Sequence, residues 1–78
     1  MNKRRRKELE DVLASLEKTK DRLEVVRDDE REAYEALPEQ FQQTERAEKM
    51  EEIADLIDEA IWPVEEAIDA VQAVLDEC

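Results

Sequence analysis

From Leu9 onward, apolar residues recur in alternating steps of three and four: Leu9, Val12, Leu16, Thr19, Leu23, Val26, Glu30, Ala33, Leu37. This is a heptad seam, with leucine at four of five a positions and Glu30 as the single charged intruder. A second series follows the same spacing: Ala47, Met50, Ala54, Ile57, Ile61, Val64, Ile68, Val71, Leu75, Cys78. The two seams predict helices over residues 5–37 and 45–77, joined by a turn over 38–44. The expected fold is all-α, a single antiparallel helical hairpin spanning residues 1–78.

The segment "LPEQFQQTER" carries the turn. Pro38 disfavours helical geometry at Leu37, because its ring crowds the preceding residue. Thr44 is the expected N-cap of the second helix, with Glu45 in the first turn where the helix dipole favours a negative charge. Ala47 stands where a capping box would place a glutamate, so the box is incomplete. A connection this short makes the helices antiparallel neighbours.

An antiparallel register in which facing residue numbers sum to 87 sets Leu37 against Met50, Ala33 against Ala54, Val26 against Ile61, Leu23 against Val64, Leu16 against Val71 and Val12 against Leu75. The flanking positions, not used to choose it, then pair Lys20 with Glu65 and Arg27 with Asp58. The same geometry lays the run Lys3-Arg4-Arg5-Arg6-Lys7 beside Asp76 and Glu77. Cations at a helix start and acids at a helix end oppose their local dipoles, and mutual neighbourhood would compensate both.

The second helix has a further apolar line at the g positions, Ile53, Ala60, Ala67 and Val74. A stripe this wide exceeds what a two-stranded seam requires and fits a bundle. A hairpin of this length is also short of core. Dimerisation into a four-helix bundle is therefore expected, the alternative being a stripe that awaits another partner.

Composition supports the helical reading. Glycine is absent, which disfavours tight hairpin turns, and Ala, Glu, Lys, Leu and Arg dominate. Charged residues reach 46% and only Tyr34, Phe41 and Trp62 are aromatic, a balance also found in disordered chains; the two regular seams decide for helices. Net charge is −12, and after Lys49 there is no basic residue at all. Such a surface repels phosphate and anionic lipid and suits a basic protein partner. No apolar stretch approaches the ~20 residues of a membrane span, and no signal-peptide core follows the basic start. One cysteine, Cys78, agrees with a reducing compartment. A cytoplasmic protein is expected, in the host cytoplasm if phage-encoded.

The chemistry is restrictive. With no histidine, histidine-dependent triads and di-iron carboxylate sites are excluded, and with no glycine there is no phosphate loop. The "DDERE" stretch lacks the EF-hand glycine. No enzyme activity, cofactor or metal is expected. Glu30 reads as a polar seam residue that fixes register, with Arg27 and Arg31 near enough to pair it. The basic run has no interleaved aromatics and no accompanying apolar face, so neither direct nucleic-acid binding nor membrane attachment is expected.

The acidic face of the second helix is the leading candidate for a partner-binding surface. From Glu51 to Glu77 its ten carboxylates span about 39 Å at ~1.5 Å per residue. That is one charge per ~4 Å, against about 3.4 Å along one DNA strand, close enough to compete for a nucleic-acid groove and equally in keeping with a face that serves solubility alone. The candidate contact residues are Trp62 with Glu51, Asp55, Asp58, Glu59, Glu65, Glu66 and Asp69. The seam passes through Trp62-Pro63 without a phase break, so the sequence predicts one continuous helix kinked near Pro63 rather than a restart with Pro63 at its first position. Trp62 falls outside the seam, where it reads as a contact either to a second copy or to a partner.

The turn segment "YEALPEQFQQTERAEKMEEI", with Tyr34, Leu37, Pro38, Glu39, Gln42, Thr44, Glu45, Arg46 and Met50, resembles small helical-hairpin proteins encoded in bacterial genomes, phages and mobile elements. Those also begin with Met-Asn-Lys and a basic run, followed by heptads, a Leu-Pro-Glu turn and a Ser-Glu-Arg lead-in to the second helix. The resemblance covers most of the chain and is specific only at the turn. It implies a hairpin fold and a mobile-element context, and it brings no catalytic residues. The chain departs from the pattern at Ala47 and at Trp62-Pro63. That context adds the expectation of an inhibitor of a host defence protein, of the anti-CRISPR kind, acting through a partly DNA-mimicking helix; the alternative, independent of the resemblance, is a self-associating structural or regulatory coiled coil with no external target.

Overall fold

The computed structural model describes residues 1–77; the expectation for Cys78 as the last seam residue lies outside them. Two long helices, α1 (Lys3–Glu35) and α2 (Glu45–Asp76), fold back on each other through a single 3-10 turn at Glu39–Phe41. The hairpin is a rod whose Cα atoms extend over 60 × 14 × 13 Å.

Each boundary has a local cause. α1 begins two residues earlier than the seam predicts because Asn2 caps it, its side-chain oxygen accepting from the Arg5 amide at 2.9 Å. It ends at Glu35, and Leu37, next to Pro38, donates to the Tyr34 carbonyl at 3.1 Å as the chain leaves the helix. The expected Thr44 cap is present: Oγ1 accepts from the Ala47 amide at 3.2 Å and donates to the Phe41 carbonyl at 2.7 Å. Gln42 closes the turn from inside by donating to the Leu37 carbonyl at 3.1 Å. Ala47, the position where the capping box fails, is fully buried, so a small side chain there serves packing rather than capping.

α2 is unbroken through Pro63. The proline has no N–H to give the Glu59 carbonyl, yet the helix resumes in phase, as the uninterrupted Ile57, Ile61, Val64, Ile68 spacing anticipates. The restart at Pro63 is set aside.

The predicted seam of α2 is the observed one: Ala47, Ala54, Ile61 and Leu75 are buried and Met50, Ile57, Val64, Ile68 and Val71 half-buried. That of α1 needs correction. Leu9, Leu16, Leu23, Glu30 and Leu37 face inward as expected, but Val12, Thr19, Val26 and Ala33 are exposed, and their places are taken by Leu13, Lys20, Arg27 and Tyr34. The leucine row can be completed on either of its two sides. The side containing Leu13 and Tyr34 buries larger apolar surfaces than Val12 and Ala33 offer. Lys20 and Arg27 can join it because their long stems lie along the seam while their charged heads reach acids on α2. The pairings of Val12, Val26 and Ala33 with α2 are thereby replaced.

One further expectation changes. Glu30 is half-buried in the seam, but Arg27 and Arg31 turn to α2 instead of to it. The basic run does reach the end of α2 as expected, and among the described residues the contact is Arg6 donating to the Leu75 carbonyl at 3.3 Å, with no ion pair to Asp76 or Glu77. Arg6 and Lys7 also pair within their own helix, with Glu10 at 3.5 Å and Asp11 at 3.2 Å.

A candidate protein-binding surface

A hairpin has two flanks, one on each side of its seam, and here they differ in chemistry. The first is ionic. Lys20 meets Glu65 at 3.5 Å and Arg27 meets Asp58 at 2.7 Å, the two contacts the register predicts. Arg31 adds longer approaches to Asp55 and Asp58, at 3.9 and 4.0 Å. Asp58, with Asp28, holds the Arg27 guanidinium more firmly charged than an isolated one. Tyr34 sits on the same flank, where burial first, and then Glu51 and Glu48, push its phenol above the ordinary value of about 10. A shallow hollow lined by Arg31, Tyr34, Glu35, Glu51, Ala54 and Asp55 opens there.

The predicted contact residues therefore divide. Asp55, Asp58 and Glu65 are turned toward cations of α1, and Glu51 lies beside Tyr34. Glu59, Glu66, Asp69 and Trp62 lie outside this network: none of Glu59, Glu66 and Asp69 takes part in a salt bridge among the described residues. Trp62 is 64% exposed. Its four helical neighbours at three and four residues' distance are Asp58, Glu59, Glu65 and Glu66, so the indole stands in a ring of carboxylates.

The second flank is apolar. Val12, Thr19, Val26 and Ala33 of α1 run antiparallel to Ile53, Ala60, Ala67 and Val74 of α2, most of them exposed. On α2 the stripe widens to include Leu56, 54% exposed, with Pro63 and Ala70. Sequence reasoning placed the g line here but missed Leu56. The signal was present: Ile53, Leu56, Ala60, Pro63, Ala67, Ala70 and Val74 follow their own three-four spacing, a second seam beside the first. On the helix surface a row of acids, Glu52, Glu59 and Glu66, separates this stripe from Trp62.

None of the described helices is long and apolar enough to cross a membrane. Comparison of the chain with protein-family models, with curated proteins and with solved structures finds no match.

Proposed function

We propose that the protein is a non-enzymatic protein-binding module that presents the Trp62 ridge of α2 to a basic protein surface. The observation that carries this reading is the placement of Trp62: a large rigid aromatic held outward on an uninterrupted helix, beside Glu59, Glu66 and Asp69, which α1 leaves free for other cations. An aromatic anchor with charges around it has the composition of an interface hot spot. The charge spacing along α2 favours a target that itself binds nucleic acid, with mimicry limited to the carboxylates outside the ionic flank. The resemblance of residues 34–53 to hairpins of phages and mobile elements supports an inhibitory role, occluding such a surface on a host defence protein.

The test is capture of proteins from a bacterial lysate by the wild-type chain, by Trp62→Ala and by a Glu59→Lys/Asp69→Lys variant. Each retained protein is then purified and competed with duplex DNA. A basic nucleic-acid-binding protein that is held by the wild type, lost from both variants and displaced by DNA supports the reading. Retention that survives both sets of substitutions ends it. The other function, a self-associating coiled coil without an external target, is favoured by a different observation, the apolar flank.

A further inference from the structure

Among the described residues only Ala47, Ala54, Ile61 and Leu75 are buried, all of them on α2, and no large side chain is fully enclosed. For a chain of 78 residues this is a thin core, below what usually holds a domain of this size together. The apolar rows, residues 12–33 and 53–74, cover about 32 Å of the rod at ~1.5 Å per residue, on a face about 20 Å across, the width of two helices. That gives roughly 640 Å² of apolar face, most of the ~800 Å² each partner contributes to a stable complex, and the polar ends of the same face extend it.

We propose that a second copy of the chain covers this flank, with α1 of one copy lying along α2 of the other to make a four-helix bundle. The pairs Lys20–Glu65, Arg27–Asp58 and Arg31–Asp55 place residues whose numbers sum to about 86 at one height along the rod. Val26 is therefore level with Ala60, Thr19 with Ala67 and Ile53 with Ala33. Rotating a copy about the long axis of the rod sets Val26 over the copy's Ala60 and Ile53 over its Ala33, bulky on small, which lets the layers interdigitate.

Charge selects this arrangement. Laying α2 on α2 would bring the Glu52, Glu59 and Glu66 rows together. Laying α1 on α2 instead sets Lys18 and Arg22 of one copy on either side of Glu66 of the other. Two like-charge approaches oppose it, Glu52 to Glu32 and Glu59 to Asp29; Lys49, 3.5 Å from Glu52, offsets the first, and the two are fewer than the contacts of two complete acidic rows laid together. Within one hairpin Lys18 and Glu66 point away from each other, so any coupling between them is intermolecular. Trp62 stays outside the interface, beyond the Glu59 and Glu66 row.

Light scattering and sedimentation equilibrium on the full chain test the proposal. The wild type is expected at twice its 9.2 kDa mass. Glu66→Lys should weaken association about fivefold, and adding Lys18→Glu to it should recover most of the loss. Ala60→Glu/Ala67→Glu should give a monomer by mass, and Trp62→Ala should leave the dimer intact. A wild-type monomer at high micromolar concentration overturns the proposal. So does a dimer indifferent to the Ala60/Ala67 substitutions, or an exchange of the Lys18 and Glu66 charges that fails to restore association. Lysate capture through Trp62 can fail while these outcomes hold, and the reverse.

Discussion

The Arg27 guanidinium lies 2.7 Å from the Asp58 carboxylate across the hairpin, while its Nε meets Asp28 of its own helix at 3.1 Å. One side chain thus ties two helices at one height, and a heptad slip in either direction breaks the contact. A double-mutant cycle with Arg27→Met and Asp58→Asn should give a coupling larger than the one for the exposed Lys7–Asp11 pair, and salt should reduce both. Additive effects at Arg27 and Asp58 would mean that the register is held by the apolar seam alone.

The core is carried by α2, so truncation there should cost most. Ile61→Ala should destabilise the protein by about 2–4 kcal/mol, whereas Val25→Ala, at an exposed position outside both flanks, should stay within ~0.5 kcal/mol. Urea unfolding followed by circular dichroism measures both. Equal losses would refute the inward face assigned to each helix.

Tyr34 is the single tyrosine, which makes its ionisation directly readable from the tyrosinate absorbance. Its phenol should titrate above the unfolded value of about 10, and Glu51→Gln should bring it down. The sign for stability follows. With the folded value raised, the folded state holds its proton more tightly, so this contribution is complete below pH ~10 and is lost as pH rises through the folded value. A titration at or below the ordinary value would contradict the placement of Tyr34 beside Glu51.

Thr44 both accepts from Ala47 and donates to Phe41, so it fixes the start of α2 and the end of the turn together. Thr44→Ala should cost about 1 kcal/mol or somewhat more, and Thr44→Ser should restore nearly all of it, by denaturant midpoint. If serine is as damaging as alanine, the hydroxyl is not what matters there.

The sequence makes α2 legible and leaves α1 ambiguous for a definable reason. Ile57, Ile61, Val64, Ile68 and Val71 admit one apolar seam facing α1. The leucines of α1 admit two, one completed by Val12 and Val26 and one by Leu13 and Tyr34. Leu13 and Tyr34 outweigh Val12 and Ala33 in apolar surface, but Val26 is more apolar than Arg27, and the acids standing opposite Lys20 and Arg27 on α2 decide between the two sides. The outward phase of Trp62 was readable from spacing alone. Which carboxylates around it are engaged was not, because that depends on where Lys20, Arg27 and Arg31 arrive from the other helix.

No described residue has a positive φ. The reversal of the chain between Ala36 and Thr44 is therefore built from ordinary right-handed and extended backbone, held by the side chains of Gln42 and Thr44 and by the Pro38 carbonyl, which accepts from the Phe41 amide at 2.8 Å. A turn of this kind places no demand for glycine at any of its positions. It should accept broad substitution at Glu39, Gln40 and Gln43, making the tip of the rod the natural place to insert a tag or a probe while both flanks stay intact.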